Sequence, residues 1–361
     1  MIKDHSKYIR SCFKLAQKGK GNVSPNPFVG AVLVKRGKVI GRGYHIKYGA
    51  AHAEVHAIKN ATENVTGSTL YCNLEPCCHT NKQTPPCVPL IIQKKIKRVV
   101  ISNPDPNKEV NGKGVKQLRE AGIEVVAQIL EEEGKELNKF YFKYVTEKIP
   151  YVTLKIAQSI DGKIAEAKNK QTWLTGKESI KFVHKLRSEY DAVLIGANTV
   201  KVDNPLLTVR DVKGRNPIRI VIDGKLSIPL NSNILKCNDP ERTWLFTSNS
   251  VNGKKVKRIE DKGTKIFKIS SSKDNLLDIK KILKVLANQK ITSLLVEGGV
   301  DIFTQFLEKD VFDEIIVLQS PKILGQGIKS SHIRKMKNLR LLKIAKLGSD
   351  IKLVYGKKLS D

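Results

Sequence analysis

The sequence runs to 361 residues, 40% of them apolar, with a formal net charge of +30. That length suggests two domains or three with real cores, and nothing in it resembles a disordered or low-complexity tract. No apolar run approaches the ~20 residues that span a membrane, and charges break up the opening "MIKDHSKYIRSCFKLAQKGK", so no membrane or secretory segment is expected and a cytoplasmic protein is the reading.

The basic balance does not imply a nucleic-acid partner. Lysine is scattered along the chain rather than gathered in one arm, aromatics are only 6%, and no base-stacking motif is present. The charge reads as solvated lysine-rich faces whose field would attract phosphorylated small molecules.

In chain order, Tyr8, Ile9, Cys12, Phe13 and Ala16 repeat at helical spacing. "FVGAVLVKRGKVIGRGYH" is a hairpin, two β-rich runs about "KRGK". "AAHAEVHAIKNA" is a helix, "STLYCNLEP" a strand stopped by proline, and "VPLIIQKK" a short helix. "IKRVVIS", "GKGVKQLREAG" and "IEVVAQ" continue as strand, helix, strand, and one charged helix, "EEEGKELNKFYFKYVTEKIP", closes the unit before Pro150. The second half begins again with "YVTLKIAQS" and adds "DAVLIGA", "IRIVIDG", "TWLFTS", "TKIFKIS", "SLLVEGG" and "DEIIVLQSP" as strands, with helices "ESIKFVHKLRSEY" and "NLLDIKKILKVLANQ" between them. Both halves are therefore α/β layer structures, without an internal repeat.

Six cysteines in a long, unsecreted chain do not suggest a disulfide framework. Cys12 and Cys237 stand alone and read as small buried apolar residues, whereas four cluster between Cys72 and Cys87. Zinc-dependent hydrolysis needs three protein ligands, an open position for water and a carboxylate that is not a ligand. His52, Cys77 and Cys87 meet that count, and Glu54, two residues after His52, supplies the carboxylate. The helical His52/His56 pair is not the metalloprotease pattern, because Ala53 stands where that pattern has its glutamate. A structural zinc would more often use four ligands in two close pairs. An HxE phrase followed by a Pro-Cys phrase is instead the signature of zinc nucleobase deaminases, although their thiols lie closer together than Cys77 and Cys87.

The longer loop ending in "TPPC", with "SPNPFVGAV" and "HAEVHA" upstream, resembles the deaminase domain of the bifunctional deaminase–reductase family of riboflavin biosynthesis. The family wording is close to "LEPCSHxGxTPPC"; this chain has Cys78 for the serine and one extra residue in "TNKQ". Cys77 follows Glu75-Pro76 as the family ligand does, and on that ground it is preferred to Cys78. "YVTLKIAQSIDGKIA", "TWLTG", "VHKLRSEYDAVLIGANTV", "DNPLLTVR" and "LLVEGG" resemble the same family's reductase domain, in order, so the resemblance covers nearly the whole chain.

The resemblance implies a cytidine-deaminase-like three-layer domain over 1–147 and a dihydrofolate-reductase-like domain over 148–361. Zinc and NADPH would be the cofactors and a phosphorylated pyrimidine the substrate, with a homo-oligomeric assembly and neither a nucleic-acid nor a membrane partner. Asn26 and His45, with His79, would meet the pyrimidine. Ala157, Trp173, Thr199, Asp203 and Gly299 would line the dinucleotide site, Gly298 and Gly299 letting backbone approach the phosphates. Gln171, Arg187, Leu207, Arg210 and Glu297 would contact the reductase substrate, the arginines holding phosphate and ribose. Taken singly, each has a plainer reading: His45 and His79 as exposed loop histidines, Trp173 as core, Arg187 as a solvated helix charge. From another class, an RNA-editing deaminase with a basic C-terminal RNA-binding module would need close-spaced thiols and clustered stacking aromatics. A non-catalytic zinc-stabilised binding protein would make Glu54 dispensable.

Overall fold

The structure is a computed structural model that describes residues 2–79, 84–271 and 276–357. The chain divides into two compact units, residues 1–148 and 149–361.

The first unit holds α1 (Ile2–Ala16), β1 (Gly30–Lys35), β2 (Lys38–Tyr44), α2 (Ala53–Lys59), β3 (Thr69–Leu74) and α3 (Cys87–Gln93). It continues with β4 (Arg98–Asn103), α4 (Lys113–Glu120), β5 (Glu124–Val126), α5 (Glu131–Leu137) and α6 (Lys139–Glu147). Its sheet runs β2-β1-β3-β4-β5; β1 is antiparallel to both neighbours, and β3, β4 and β5 are parallel. Strand side chains alternate between faces, and β1 shows the result. Ala31 and Leu33 pack with Ala53 and Ala57 of α2, Val88 and Ile91 of α3, and Leu118 of α4. Val32 and Val34 pack on the other face with Ile9, Cys12 and Phe13 of α1. Three layers result.

The closing helix expected over this unit's end is in fact two, broken at Asn138. That residue is 1% exposed, and its side chain accepts from Phe28 N at 2.7 Å and donates to Phe28 O at 3.0 Å. A buried amide that pairs with distant backbone takes its residue out of the helical run.

The second unit contains β6 (Tyr151–Gln158), β7 (Lys163–Ala165), α7 (Lys177–Glu189), β8 (Ala192–Gly196), α8 (Ala197–Asp203), β9 (Ile218–Ile222), β10 (Thr243–Ser248) and α9 (Gly253–Glu260). Then come β11 (Lys265–Ile269), α10 (Ile279–Asn288), β12 (Ser293–Gly298), α11 (Val300–Glu308), β13 (Glu314–Gln319), β14 (Ile328–Lys329), β15 (Leu339–Leu347) and β16 (Asp350–Lys357). The large sheet is ordered β11-β10-β9-β8-β12-β6-β13-β16-β15. It is parallel through β13 and antiparallel at β16 and β15. Ile282, Leu283 and Leu286 of α10 and Phe303 and Phe306 of α11 fill one core with Leu154, Leu194, Ile220 and Phe246. The β15–β16 hairpin has no counterpart in the sequence reading, because β15 is an edge strand whose residues are mostly exposed and show no clean alternation.

From β8 the chain steps outward through β9, β10 and β11, then returns to lay β12 between β8 and β6. Reversals of this kind open a crevice at the carboxyl ends of the strands, where ligands of parallel sheets bind. Gly196, Gly298 and Gln158 stand at those ends.

Of the two lone cysteines, Cys12 is fully buried, while Cys237 is only half-buried and differs from the expectation. Its Sγ lies 3.0 Å from Nη2 of Arg219, which is itself wholly buried and paired with Asp239. The thiol therefore helps satisfy a buried cation rather than filling apolar space.

Candidate active sites

His52 is the N-cap of α2, and Cys87 opens α3 after Pro86. Cys77 ends the stretch leaving β3, and its carbonyl accepts from Cys87 N and Val88 N at 3.0 and 3.1 Å. The three side chains converge. His52 Nδ1 lies 3.3 Å from each of the Cys77 and Cys87 sulfurs, and the three donor atoms all fall within 4.8 Å of one another. Thr84 Oγ1 lies 3.0 Å from His52 Nε2. A proton on Nε2 given to that hydroxyl leaves Nδ1 bare between the sulfurs, the arrangement an outer partner imposes on a metal-ligating histidine.

The set fits zinc. Zn–S and Zn–N bonds at tetrahedral angles separate sulfur from nitrogen by about 3.5 Å. The electrostatics agree: the Cys77 thiol is held at about 4, first by a hydrogen bond from Cys87 and then by His52. Cys87 is pushed well up by the same bond and by burial. Cys78 lies outside the set, its sulfur directed at Glu109 O.

Glu54, in the first turn of α2, is 3% exposed, and burial pushes its carboxyl up from the ordinary value. Its Oε2 has no hydrogen-bond partner among the described residues. A buried carboxylate oxygen is costly to leave unpaired, so one on a cavity wall points to a ligand. The cavity has a volume of about 650 Å³, with His52, Glu54 and Cys77 on its wall together with Asn26 and His45.

His45 is not an exposed loop histidine but 2% exposed. Asn26 Nδ2 donates to its Nε2 at 3.1 Å, which leaves Nδ1–H to donate to Ala51 O at 3.2 Å. Burial pushes its pKa down, in keeping with this neutral form. His79 also lines the cavity, with both ring nitrogens buried and unpartnered among the described residues.

Several contributors escaped the sequence reading. Asp105 and Tyr141 line the cavity, joined by a 2.9 Å bond from Tyr141 Oη to Asp105 Oδ1. Glu75 accepts three backbone N–H groups, from Asp105, Gly112 and Val115 at 3.2, 2.9 and 2.9 Å. A carboxylate so placed fixes the segment 105–115 against the cysteine loop. The available signal was "NPDPNKEVNGKG", which is close to a family loop.

In the second unit, Thr199 and Asp203 lie one turn apart on α8, and Gly298 and Gly299 lead into α11. Both glycines have positive φ, +155° and +92°, and a Cβ on Gly299 would stand 3.4 Å from Thr199 Oγ1. Burial pushes the Asp203 carboxyl up. The β12–β8 register slips between Val296 and Gly298, at Glu297, as at a bulge that re-aims a side chain.

Arg187 meets Glu297 there in a two-pronged ion pair, Nε–Oε1 2.6 Å and Nη2–Oε2 2.8 Å. Lys155 Nζ, unread in the sequence, lies 3.4 Å from Oε2. Burial alone would raise the Glu297 carboxyl, but Arg187 and Lys155 more than offset it and hold it at about 2. Arg187 is thus no solvated helix charge, its Nε and Nη2 being engaged by Glu297. Arg210 is exposed, with Nη1 donating to Thr208 Oγ1 at 3.3 Å. Leu207 is buried at φ +55°. Ala157 sits near the end of β6, paired with Leu318 of β13. Gln171 and Trp173 are exposed in the loop before α7, and Trp173, 69% exposed, is not core. Lys322 Nζ donates to Trp173 O at 2.7 Å.

Residues 2–103 match the cytidine and deoxycytidylate deaminase zinc-binding region, and residues 150–353 match the RibD C-terminal domain. The riboflavin biosynthesis protein RibD of Aquifex aeolicus is 42% identical over 362 residues, covering 98% of this chain and 99% of that one. The chain belongs to the RibD family. Two solved structures align over nearly their full lengths. Acinetobacter baumannii RibD (form 1) gives a TM-score of 0.90 at 32% identity, covering 99% of this chain and 100% of that one. A diaminohydroxyphosphoribosylaminopyrimidine deaminase/5-amino-6-(5-phosphoribosylamino)uracil reductase from Thermotoga maritima gives 0.86 at 37%, covering 99% of each. As a RibD family member the chain is a bifunctional enzyme of riboflavin biosynthesis, a zinc-binding deaminase unit followed by an NADPH-dependent reductase unit of dihydrofolate-reductase-like fold. The RNA-deaminase alternative loses its footing, because the basic second half is the RibD C-terminal domain. No helix among the described residues is long and apolar enough to cross a membrane.

Proposed function

We propose that the first unit removes the exocyclic amine of 2,5-diamino-6-(5-phosphoribosylamino)pyrimidin-4-one by hydrolysis. The second unit then reduces the ribosyl group with NADPH, giving 5-amino-6-(5-phosphoribitylamino)uracil. The observation that carries this reading is the unpartnered Glu54 oxygen of a residue that shares a cavity wall with His52 and Cys77, two members of the His52–Cys77–Cys87 set.

His52, Cys77 and Cys87 would hold zinc, which when bound supplies the Lewis acidity that makes water nucleophilic at neutral pH. Glu54 carries protons at Oε2: it takes one from the attacking water and places it on the ring nitrogen. It then takes the remaining proton of the hydroxyl added to the ring carbon and delivers it to the departing amine as the C–N bond breaks and the carbonyl forms. Its raised pKa suits a group that must hold a proton partway through the reaction. Asn26, oriented by His45, keeps an amide N–H and its carbonyl oxygen for the edge of the pyrimidine.

In the second unit Ala157, Trp173, Thr199, Asp203 and Gly299 form the dinucleotide site. The positive-φ glycines ahead of α11 allow close backbone approach, and the start of that helix suits phosphate. NADPH, when bound, supplies the hydride for the first carbon of the ring-opened ribose. Gln171, Arg187, Leu207, Arg210 and Glu297 hold the substrate, with Arg210 the phosphate contact because Arg187 is engaged by Glu297.

The setting we infer is cytoplasmic, with six free cysteines, and a homo-oligomer without nucleic-acid or membrane partners. Purified, zinc-loaded protein is incubated with the pyrimidine phosphate, first alone and then with NADPH. Ammonia release without NADPH, followed by loss of nicotinamide absorbance once NADPH is added, is the expected result. A zinc-loaded, folded protein that releases no ammonia refutes the proposal.

A further inference from the structure

We infer that His184 is a positioning residue for the reductase substrate, holding the backbone of Arg210 in place while its imidazole is neutral. The inference rests on the reading that Arg210 contacts the substrate.

Residues 207–211 form a loop outside every strand and helix, with Leu207 in the left-handed region. Two of its anchors come from one face of α7, where residues three apart are neighbours. Arg187 Nη1 donates to Thr208 O at 3.4 Å, and Arg210 N donates to His184 Nδ1 at 3.2 Å. Val209 N donates to Asn216 Oδ1 at 2.8 Å, steadying the loop from its other side. The better of the two α7 anchors holds Arg210 itself, the residue whose exposed guanidinium is assigned to phosphate.

The tautomer follows from this bond. A backbone N–H can only donate, so Nδ1 must carry a lone pair and the ring proton must sit on Nε2, 3.4 Å from Asp211 Oδ2. His184 is 3% exposed, so water is a poor substitute for either partner. A second proton has to go to Nδ1, where it meets the Arg210 N–H head-on and abolishes the acceptor.

The groups that face the ring are Arg187 on its own helix, Arg210 and Asp211 on the loop, and Glu297 on β12. Burial is the largest influence and, with the arginines, outweighs the two carboxylates, so the ring titrates below the ordinary histidine range. The loop is therefore anchored at neutral pH and loses this anchor in acid.

The test measures the substrate KM of the reductase step at saturating NADPH, from about pH 8 to about pH 5, in wild type, His184→Leu, His184→Asn and Arg210→Ala. Asparagine Oδ1 stands where Nδ1 stands and does not titrate; leucine fills the space without an acceptor. The second ionisation of the substrate phosphate, near pH 6, weakens binding in every variant, so the wild-type to Asn ratio isolates the imidazole.

His184→Leu is expected to raise substrate KM about three- to tenfold at about pH 8, the value of one hydrogen bond. The kcat and the NADPH KM should stay put, a split that general loosening of the fold would not give. His184→Asn should bring KM back to within about twofold of wild type at that pH and fall below wild type toward about pH 5. An Asn variant that tracks wild type throughout the acid range overturns the inference, as does an unchanged KM in folded His184→Leu. If Arg210→Ala raises KM while the His184 variants do nothing, only this inference falls. If Arg210→Ala leaves KM unaltered, the substrate assignment falls and takes the inference with it.

Discussion

Replacing Glu297 by glutamine should destabilise the second unit by about 3 kcal/mol, and two routes lead to that figure. The carboxyl has an ordinary value of 4.5 and is held at about 2. At about 1.4 kcal/mol for each pKa unit, that difference is worth about 3 kcal/mol. Independently, removing one partner of a buried ion pair typically costs about 3–5 kcal/mol, because the other charge is stranded. Here the stranded group is Arg187, whose side chain is 13% exposed, with Lys155 at 12% beside it.

Both tryptophans, Trp173 and Trp244, lie in the second unit, and Trp244 is 5% exposed, so tryptophan fluorescence in urea reports that unit alone. The sign of the pH dependence is fixed too. A depressed carboxylate gives stability that is fully present above about pH 4.5 and is lost as pH falls toward about 2. Wild type should therefore lose stability across that window, and Glu297→Gln much less. An Arg187→Met, Glu297→Leu double change should be less damaging than Glu297→Gln, since it leaves one cation, Lys155, without its carboxylate rather than two. A loss below about 0.5 kcal/mol for Glu297→Gln would mean that the pair is not buried as described.

Zinc content should fall sharply in Cys77→Ser and stay near one per chain in Cys78→Ser, checked by metal analysis of the purified proteins. Glu54→Gln should keep zinc and fold but lose ammonia release by about a hundredfold or more, because the amide is isosteric and cannot carry the proton. Arg210→Ala should raise the reductase substrate KM about tenfold to a hundredfold, the value of a charge-assisted phosphate contact, while NADPH KM and ammonia release hold steady.

Much of the fold could be read locally. The β-rich runs of β1 and β2 about "KRGK" and the helical spacing of α1 are each written in a short local stretch. His52, Glu54, Cys77 and Cys87 could be named because their chemistry demands particular residue types. What the sequence hid were pairings across distance. Arg187 and Glu297 are 110 residues apart, and each alone looked like a substrate contact. Asn138 breaks a helix for the sake of Phe28, also 110 residues away, and nothing in the helical pattern marks it. Thr84 needed the chain folded back on His52, and the extra residue of "TNKQ" lies outside the described residues.

The way Glu75 grips its surroundings bears on how this pocket could change its taste. It holds the opposite wall through main-chain amides, which every residue but proline possesses, so the grip does not depend on the side chains shown to the ligand. Asp105 and Asn107 add braces of their own, Asp105 Oδ1 accepting from Asn107 N and Tyr141 Oη at 2.9 Å each and Asn107 Oδ1 from Glu109 N at 3.1 Å, so an exchange that suits another heterocycle has to keep an acceptor at each. The hinge points are less forgiving: Gly112 holds φ +76°, and a Cβ on Gly114 would come within 2.4 Å of Pro76 O. A library that varies 105 and 107 among side chains bearing an acceptor, and spares 75, 112 and 114, would thus explore new substrates without disturbing the thiols next door.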